Sequence, residues 1–162
     1  MASKKVYELT QEGLNSLKNE LTYLTEVKRK ENVQAIKEAR EQGDLSENAD
    51  YDAARNEQAK IESRIKEIEI ILKNAKVIKS DENDTTVSIG KKVELTLILE
   101  NGNKKDFTYD LVGPLEANPI NGKISTDSPI GKAILNKDVD GEELPVRTET
   151  GKNLKVIIRK II

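Results

Sequence analysis

The chain contains no cysteine, no histidine and no tryptophan. Without thiols there are no disulfides, no thiolate zinc sites and no cysteine nucleophile. Without imidazole there is no Ser-His-Asp triad, no histidine base and no histidine-held metal. Any chemistry therefore rests on carboxylates, lysine, arginine, hydroxyls or a metal held by oxygen. Aromatic side chains are scarce: Tyr7, Tyr23, Tyr51, Phe107 and Tyr109 are all there are. No proline lies between Thr10 and Ala75, and the only glycines in that stretch are Gly13 and Gly43. No apolar run approaches the roughly 18 residues that cross a bilayer, and Met1-Ala2-Ser3-Lys4-Lys5 opens no apolar targeting stretch. This composition reads as a soluble, cytoplasmic protein with no membrane partner. A dominant charge is missing too. Lysine and arginine number 27 against 29 acids, a formal −2, which argues against coating nucleic acid by bulk attraction but allows a local basic patch.

What the chain does have is charge of both signs, 35% of its 162 residues against roughly a quarter in an average domain. That balance favours long helices washed by solvent over one thick core. Thr10 is placed to cap the first helix, and Leu14, Leu17, Leu21 and Leu24 then recur at helical spacing, with Val27, Ala35 and Ala39 continuing the seam more weakly. This helix is predicted to end near Gln42. Beyond Gly43 the residues Ala54, Gln58, Ile61, Ile65, Ile68, Leu72 and Ala75 alternate intervals of four and three, a coiled-coil seam. Folding the helices back about Gly43 to Ser46 sets Leu17 near Ala75, Leu24 near Ile68, Val27 near Ile65 and Ala39 near Ala53. The result is an antiparallel hairpin about 45 Å long, thick at its base and narrow at its tip. Glu26 with Lys30, Glu62 with Lys66 and Glu69 with Lys73 are spaced for ion pairs along a helix face.

After Lys79 the stretch Ser80-Asp81-Glu82-Asn83-Asp84-Thr85-Thr86 is polar and reads as a linker. Val93, Leu95, Leu97 and Leu99 then alternate with Glu94, Thr96, Ile98 and Glu100, which predicts a strand. Asn101-Gly102 supplies a tight turn before a second strand at 107–112. Gly113-Pro114 and Asn118-Pro119 mark loops. Ser128-Pro129 reads as a helix cap followed by proline in the first turn, and Leu154 to Ile162 as a last strand. The expected fold is α+β, with residues 1–79 as the helical hairpin, 80–86 as the linker, and 87–162 as a small antiparallel sheet with one short helix over 130–136.

The hairpin turn carries the densest chemistry. Glu38, Glu41, Asp44, Glu47, Asp50 and Asp52 place six carboxylates within fifteen residues, flanked by Arg40 and Arg55. One account is helix capping: Gly43 supplies a left-handed terminator, Asp44 caps the next helix, and Glu47 completes something like a capping box. The other begins from Mg²⁺, which prefers oxygen ligands and takes one or two carboxylates from a protein while keeping waters. Asp44 and Glu47 on a tight turn can face one ion but not hold it tightly alone, which suits a rod that delivers them into another protein's active site. Arg40 and Arg55 then either form ordinary surface salt bridges or hold RNA phosphate.

Three stretches carry a resemblance. They are Glu38-Ala39-Arg40 with Gly43-Asp44-Leu45-Ser46-Glu47-Asn48-Ala49-Asp50-Tyr51, then Ala53-Ala54-Arg55-Asn56-Glu57-Gln58, then Ile124-Ser125-Thr126-Asp127-Ser128-Pro129-Ile130-Gly131-Lys132-Ala133. Through them the whole chain resembles the bacterial Gre transcript-cleavage (transcription elongation) factors, and Leu45 after Asp44 is similar to the GreA type. The resemblance implies a coiled coil that enters the secondary channel of RNA polymerase. It implies that Asp44 and Glu47 assist there by binding a catalytic Mg²⁺ shared with the polymerase, which cleaves backtracked RNA. It further implies an FKBP-like C-terminal domain that docks at the channel mouth through Asp127, Ser128, Pro129 and Ile130. The expected partners are bacterial RNA polymerase and the 3′ end of the backtracked transcript, contacted by Arg40 and Arg55. The factor is expected to be an accessory protein rather than an enzyme, and a monomer when free. After the short helix the family has Gly-Lys and later Gly-Asp, where this chain has Asn136-Lys137 and Asp140-Gly141. Asparagine tolerates the left-handed conformation, so Asn136 can still end that helix. Three other readings remain in view: a prolyl isomerase or chaperone, for which only Phe107 and Tyr109 could line a pocket; a structural adaptor, which has no need of Asp44 and Glu47; and an inhibitory homologue that plugs the channel.

Overall fold

The computed structural model describes residues 4–43 and 45–162, and of residues 45–48 the backbone alone. The chain divides into two units, Met1–Tyr7 with Glu12–Ala75 and Glu8–Gln11 with Lys76–Ile162.

The first unit is helical. Helix α1 spans Gln11–Tyr23, a five-residue π-turn covers Leu24–Lys28, α2 spans Arg29–Gln42 and α3 spans Leu45–Lys73. α2 and α3 pack as an antiparallel hairpin. The face of α3 that points inward is the one its spacing predicts: Ile61, Ile65 and Ile68 are buried, joined by Ile71, while Ala54, Gln58 and Leu72 are half-buried. Ala75, expected in the seam, instead opens a strand. The chain leaves the helix at Asn74, whose amide side chain donates to the Ile70 carbonyl at 2.8 Å.

The preceding arm departs from expectation. Arg29 N–H bonds the Leu24 carbonyl, five residues back rather than four. One added residue in a turn rotates everything after it by about 100°. The inward face therefore runs Leu14, Leu17, Leu21, Leu24, and then Asn32, Ile36 and Ala39. Val27 and Ala35, expected to continue the seam, face solvent. The local cause is threonine: Thr25 Oγ1 donates to the carbonyls of Leu21 at 2.9 Å and Thr22 at 3.1 Å, and Thr22 Oγ1 to that of Lys18 at 3.1 Å. Hydroxyls that bond back to the preceding turn loosen the regular ladder. Across the arms, Arg64 grips both carboxylate oxygens of Glu20 at 2.7 and 2.9 Å, and Arg29 those of Glu62 at 2.7 and 2.8 Å. Glu26 meets Lys30 at 3.1 Å as its spacing predicts, whereas Glu62 turns across the hairpin to Arg29.

The short strands β1 (Tyr7–Leu9) and β2 (Ala75–Val77) pair as a two-stranded sheet of their own. In the second unit, β3 (Lys92–Ile98), β4 (Lys104–Val112), β5 (Lys123–Ser125), β6 (Leu144–Arg147) and β7 (Asn153–Ile161) form one sheet in the order β5-β4-β3-β7-β6. The sheet is mixed rather than wholly antiparallel, because β4 and β5 run parallel with Asp110 beside Lys123. Two short turns, Pro114–Glu116 and Pro119–Asn121, carry the chain back so that it re-enters the sheet in the same direction. Val93, Leu95 and Leu97 point into a core shared with Leu111, Ile124, Ile134, Val146, Val156 and Ile158. Between them Thr96 is buried although polar, because its hydroxyl donates to Asp106 at 2.6 Å and accepts from Arg159 Nε at 3.0 Å. Lys91 is buried too. Its ammonium donates to the carbonyls of Asp84 and Thr86 and so ties the end of the polar stretch 80–86 to the start of the sheet. The last helix, α4, spans Pro129–Ile134, two residues shorter at its end than expected, and Asn136 adopts φ 61° just beyond it.

Candidate functional site

α2 ends as the sequence requires. Gly43 has φ 72°, a left-handed conformation that most side chains resist, and a Cβ built there would meet nothing within 4 Å. The glycine serves the backbone turn and not a close contact. Asp44 lies outside the described residues, as does the side chain of Glu47, whose backbone belongs to the first turn of α3.

Below the turn, Arg40 stands exposed in the last turn of α2 and faces Tyr51 on α3. Its Nη2 is 3.5 Å from the phenol oxygen, and its guanidinium carbon 5.7 Å from the ring centre, within cation–π range. The hydrogen bond and charge of Arg40 hold the Tyr51 phenol below its ordinary value, with Arg55 adding a smaller contribution of the same sign. Arg55, exposed on α3, donates to Gln58 Oε1 at 2.7 Å, one turn further on. Among the described residues neither arginine has a carboxylate within ion-pair distance. The surface salt bridges to Glu41 or Asp52 that their spacing allowed are thus not formed there. Tyr51 was missed in the sequence reading, though the antiparallel pairing that sets Ala39 opposite Ala53 also brings Arg40 to its neighbourhood.

Among the described residues no group of three or more histidine, cysteine, aspartate or glutamate side chains stands close enough to hold a metal. By sequence the turn carries Asp44 and Glu47, hard oxygen donors of the kind and number that Mg²⁺ accepts from one protein.

The second candidate surface lies at the start of α4. Ser128 caps the helix: its Oγ accepts from Gly131 N–H at 3.0 Å and donates to the Ser125 carbonyl at 2.7 Å. Asp127 is exposed, and its N–H donates to Ser125 Oγ at 3.0 Å. Pro129 and Ile130, expected in the docking contact, are half-buried, and Ile130 packs against the core of the sheet. The reason is Gly131. A Cβ there would lie 2.0 Å from the Ser125 carbonyl oxygen, so the helix presses directly on β5 and carries Ile130 inward.

Comparison with known proteins accounts for both units. The family model for the N-terminal part of GreA/GreB transcription elongation factors matches residues 7–77, and the model for their C-terminal part matches residues 82–162. Transcription elongation factor GreA of Acholeplasma laidlawii is 60% identical over 161 residues, covering 99% of each chain. Transcription elongation factor GreA of Bacillus subtilis is 46% identical over 159 residues, 98% of this chain and 99% of that one. Among solved structures, the GreA factor homolog 1 (Gfh1) protein of Thermus thermophilus is 29% identical, covers 98% of this chain and 99% of its own, and has a TM-score of 0.44. Matched in both halves and along its whole length, the chain belongs to the GreA/GreB family of transcription elongation factors.

Proposed function

We propose that this protein inserts its helical hairpin into the secondary channel of bacterial RNA polymerase and stimulates the polymerase's own Mg²⁺-dependent cleavage of backtracked RNA, rescuing arrested complexes. The observation that carries this reading is the hairpin turn, where Gly43 reverses the chain and Asp44-Leu45-Ser46-Glu47-Asn48 follows at once. A two-helix arm narrow enough to enter a channel, with two carboxylates three residues apart at its end, is what delivering oxygen ligands to another protein's active site requires. Asp44 and Glu47 supply those ligands. Bound Mg²⁺ would provide Lewis-acid stabilisation and an activated water for phosphodiester hydrolysis. Arg40 and Arg55, cationic and exposed below the turn, hold phosphates of the extruded RNA 3′ segment. Asp127 and the capped start of α4 dock the second unit on the polymerase. In this role the chain is an accessory factor without turnover of its own.

The test uses a purified bacterial polymerase stalled in a backtracked complex with Mg²⁺. Adding the protein should yield shortened RNA that the polymerase can extend. Asp44→Ala and Glu47→Ala should each slow single-turnover cleavage by orders of magnitude while binding is retained. Parent-like cleavage by either variant would remove the metal role.

A further inference from the structure

Asn32 is the one polar side chain buried in the described part of the hairpin, and it makes a single cross-arm bond. Its Nδ2 donates to the carbonyl of Ala54 on α3 at 2.8 Å. It faces inward only because the π-turn at Leu24–Lys28 has rotated α2: the unrotated leucine spacing would carry Val27 and Ala35 to the seam, and both are exposed. The apolar surface at this level is thin. Ile36 and Ala39 on α2 and Ala54 and Gln58 on α3 are only half-buried, so side-chain bulk discriminates poorly between one pairing of the arms and a neighbouring one. A buried amide discriminates sharply, since a displaced α2 would leave it in an apolar seam without its partner.

We infer that Asn32, presented by the π-turn, is a positioning residue that locks the register of α2 against α3 and so decides which residues meet at the functional end of the hairpin. Arg40 lies two turns beyond Asn32 on the same helix, and Tyr51 lies three residues before Ala54. The bond from Asn32 to Ala54 therefore fixes the pairing that sets Arg40 over the Tyr51 ring. A buried polar group that sets register characteristically costs stability. Replacing it with an apolar residue is thus expected to leave melting unchanged or raise it while loosening the pairing.

The experiment reads register directly in the free protein, independently of any role in cleavage. Because the chain has no cysteine, spin labels can be placed at Val33→Cys and Glu69→Cys, both exposed and offset along the hairpin. Pulsed electron resonance should give one narrow distance in the parent. Asn32→Leu, and Asn32→Ala in case leucine overfills the seam, should add a population displaced by about one helical turn, about 5.4 Å along the axis. A lower melting temperature with the parent's single distance in the Asn32 variants would reduce Asn32 to a stability residue and overturn the inference.

Discussion

Arg40 and Tyr51, on opposite arms of the hairpin, meet through a guanidinium 5.7 Å from the ring centre and a nitrogen 3.5 Å from the phenol oxygen. This pair ties the last turn of α2 to the second turn of α3 immediately below the reversal at Gly43. An arginine held by an aromatic face keeps its outer donors free, which is the condition for meeting a phosphate.

Arg40→Ala should raise the midpoint of Tyr51 ionisation toward the ordinary tyrosine value, because the hydrogen bond and positive charge that favour the phenolate are gone. Absorbance titration of the phenolate band, with the other tyrosines replaced by phenylalanine, checks this. Both groups are at the surface, so the melting temperature should hardly move.

Arg55→Ala should lower RNA cleavage and crosslinking to the RNA 3′ end with a normal melt, since its partner among the described residues is Gln58, a neutral amide. Arg40→Ala should lose less, because Lys37 one turn earlier on the same helix can replace part of the charge. Unchanged crosslinking in the Arg55 variant would leave that residue a surface group only.

Glu20→Gln should weaken the hairpin by under about 1 kcal/mol at neutral pH, because the Arg64–Glu20 pair is more than a third exposed. Hydrogen bonding by Arg64 holds the Glu20 carboxyl below the ordinary glutamate range. The unfolded chain therefore binds more protons between the two values. The pair's contribution is complete above the unfolded value and disappears as pH falls through the folded one. Thermal melts from neutral pH down through the carboxylate range should fall less steeply in Glu20→Gln than in the parent.

Gly131→Ala should destabilise the second unit by about 2 kcal/mol or more, as the new methyl would press on the Ser125 carbonyl oxygen, a backbone atom held in β5. Gly43→Ala, with open space around it but φ 72°, should cost only about 1 kcal/mol. Urea unfolding of the two variants should rank them in that order; the reverse order would mean that the α4–β5 contact can relax.

Ile130→Asp should lower the melting temperature, because Ile130 packs on the core and the carboxylate would be buried with it. Docking is better tested at Asp127, which is exposed. Asp127→Lys should weaken polymerase binding about tenfold with an unchanged melt, the scale on which reversing one interfacial charge acts. Equal binding by parent and variant would exclude Asp127 from the docking surface.

The helical hairpin was legible because its signals are local. The absence of proline from Thr10 to Ala75, the three- and four-residue spacing of Ile61, Ile65 and Ile68, and a lone glycine between two periodic stretches depend only on neighbours along the chain. The Ser128 cap and the left-handed Asn136 were legible for the same reason, since a hydroxyl before proline and an asparagine after a helix meet backbone groups a few residues away. The candidate site was legible as composition, namely acids and arginines around Gly43, but not as contacts.

By itself, then, the sequence determined two helices that must pair, a strand-rich second half and an acidic turn between arginines. Tertiary structure alone decided the rest. The π-turn depends on Thr22 and Thr25 hydroxyls choosing backbone carbonyls over water, and its consequence, Asn32 inward and Val27 outward, appears only when α3 offers the Ala54 carbonyl. The parallel pairing of β5 with β4 depends on the path of residues 113–122, which no alternation of apolar and polar side chains encodes. Ile130 is covered because Gly131 allows α4 to touch β5, and Arg40 finds Tyr51 rather than an acid because the two helices cross at one register. The Asn32–Ala54 bond, the β4–β5 pairing and the Arg40–Tyr51 contact join groups on different elements, whose meeting is set by the packing of whole elements and not by local preference.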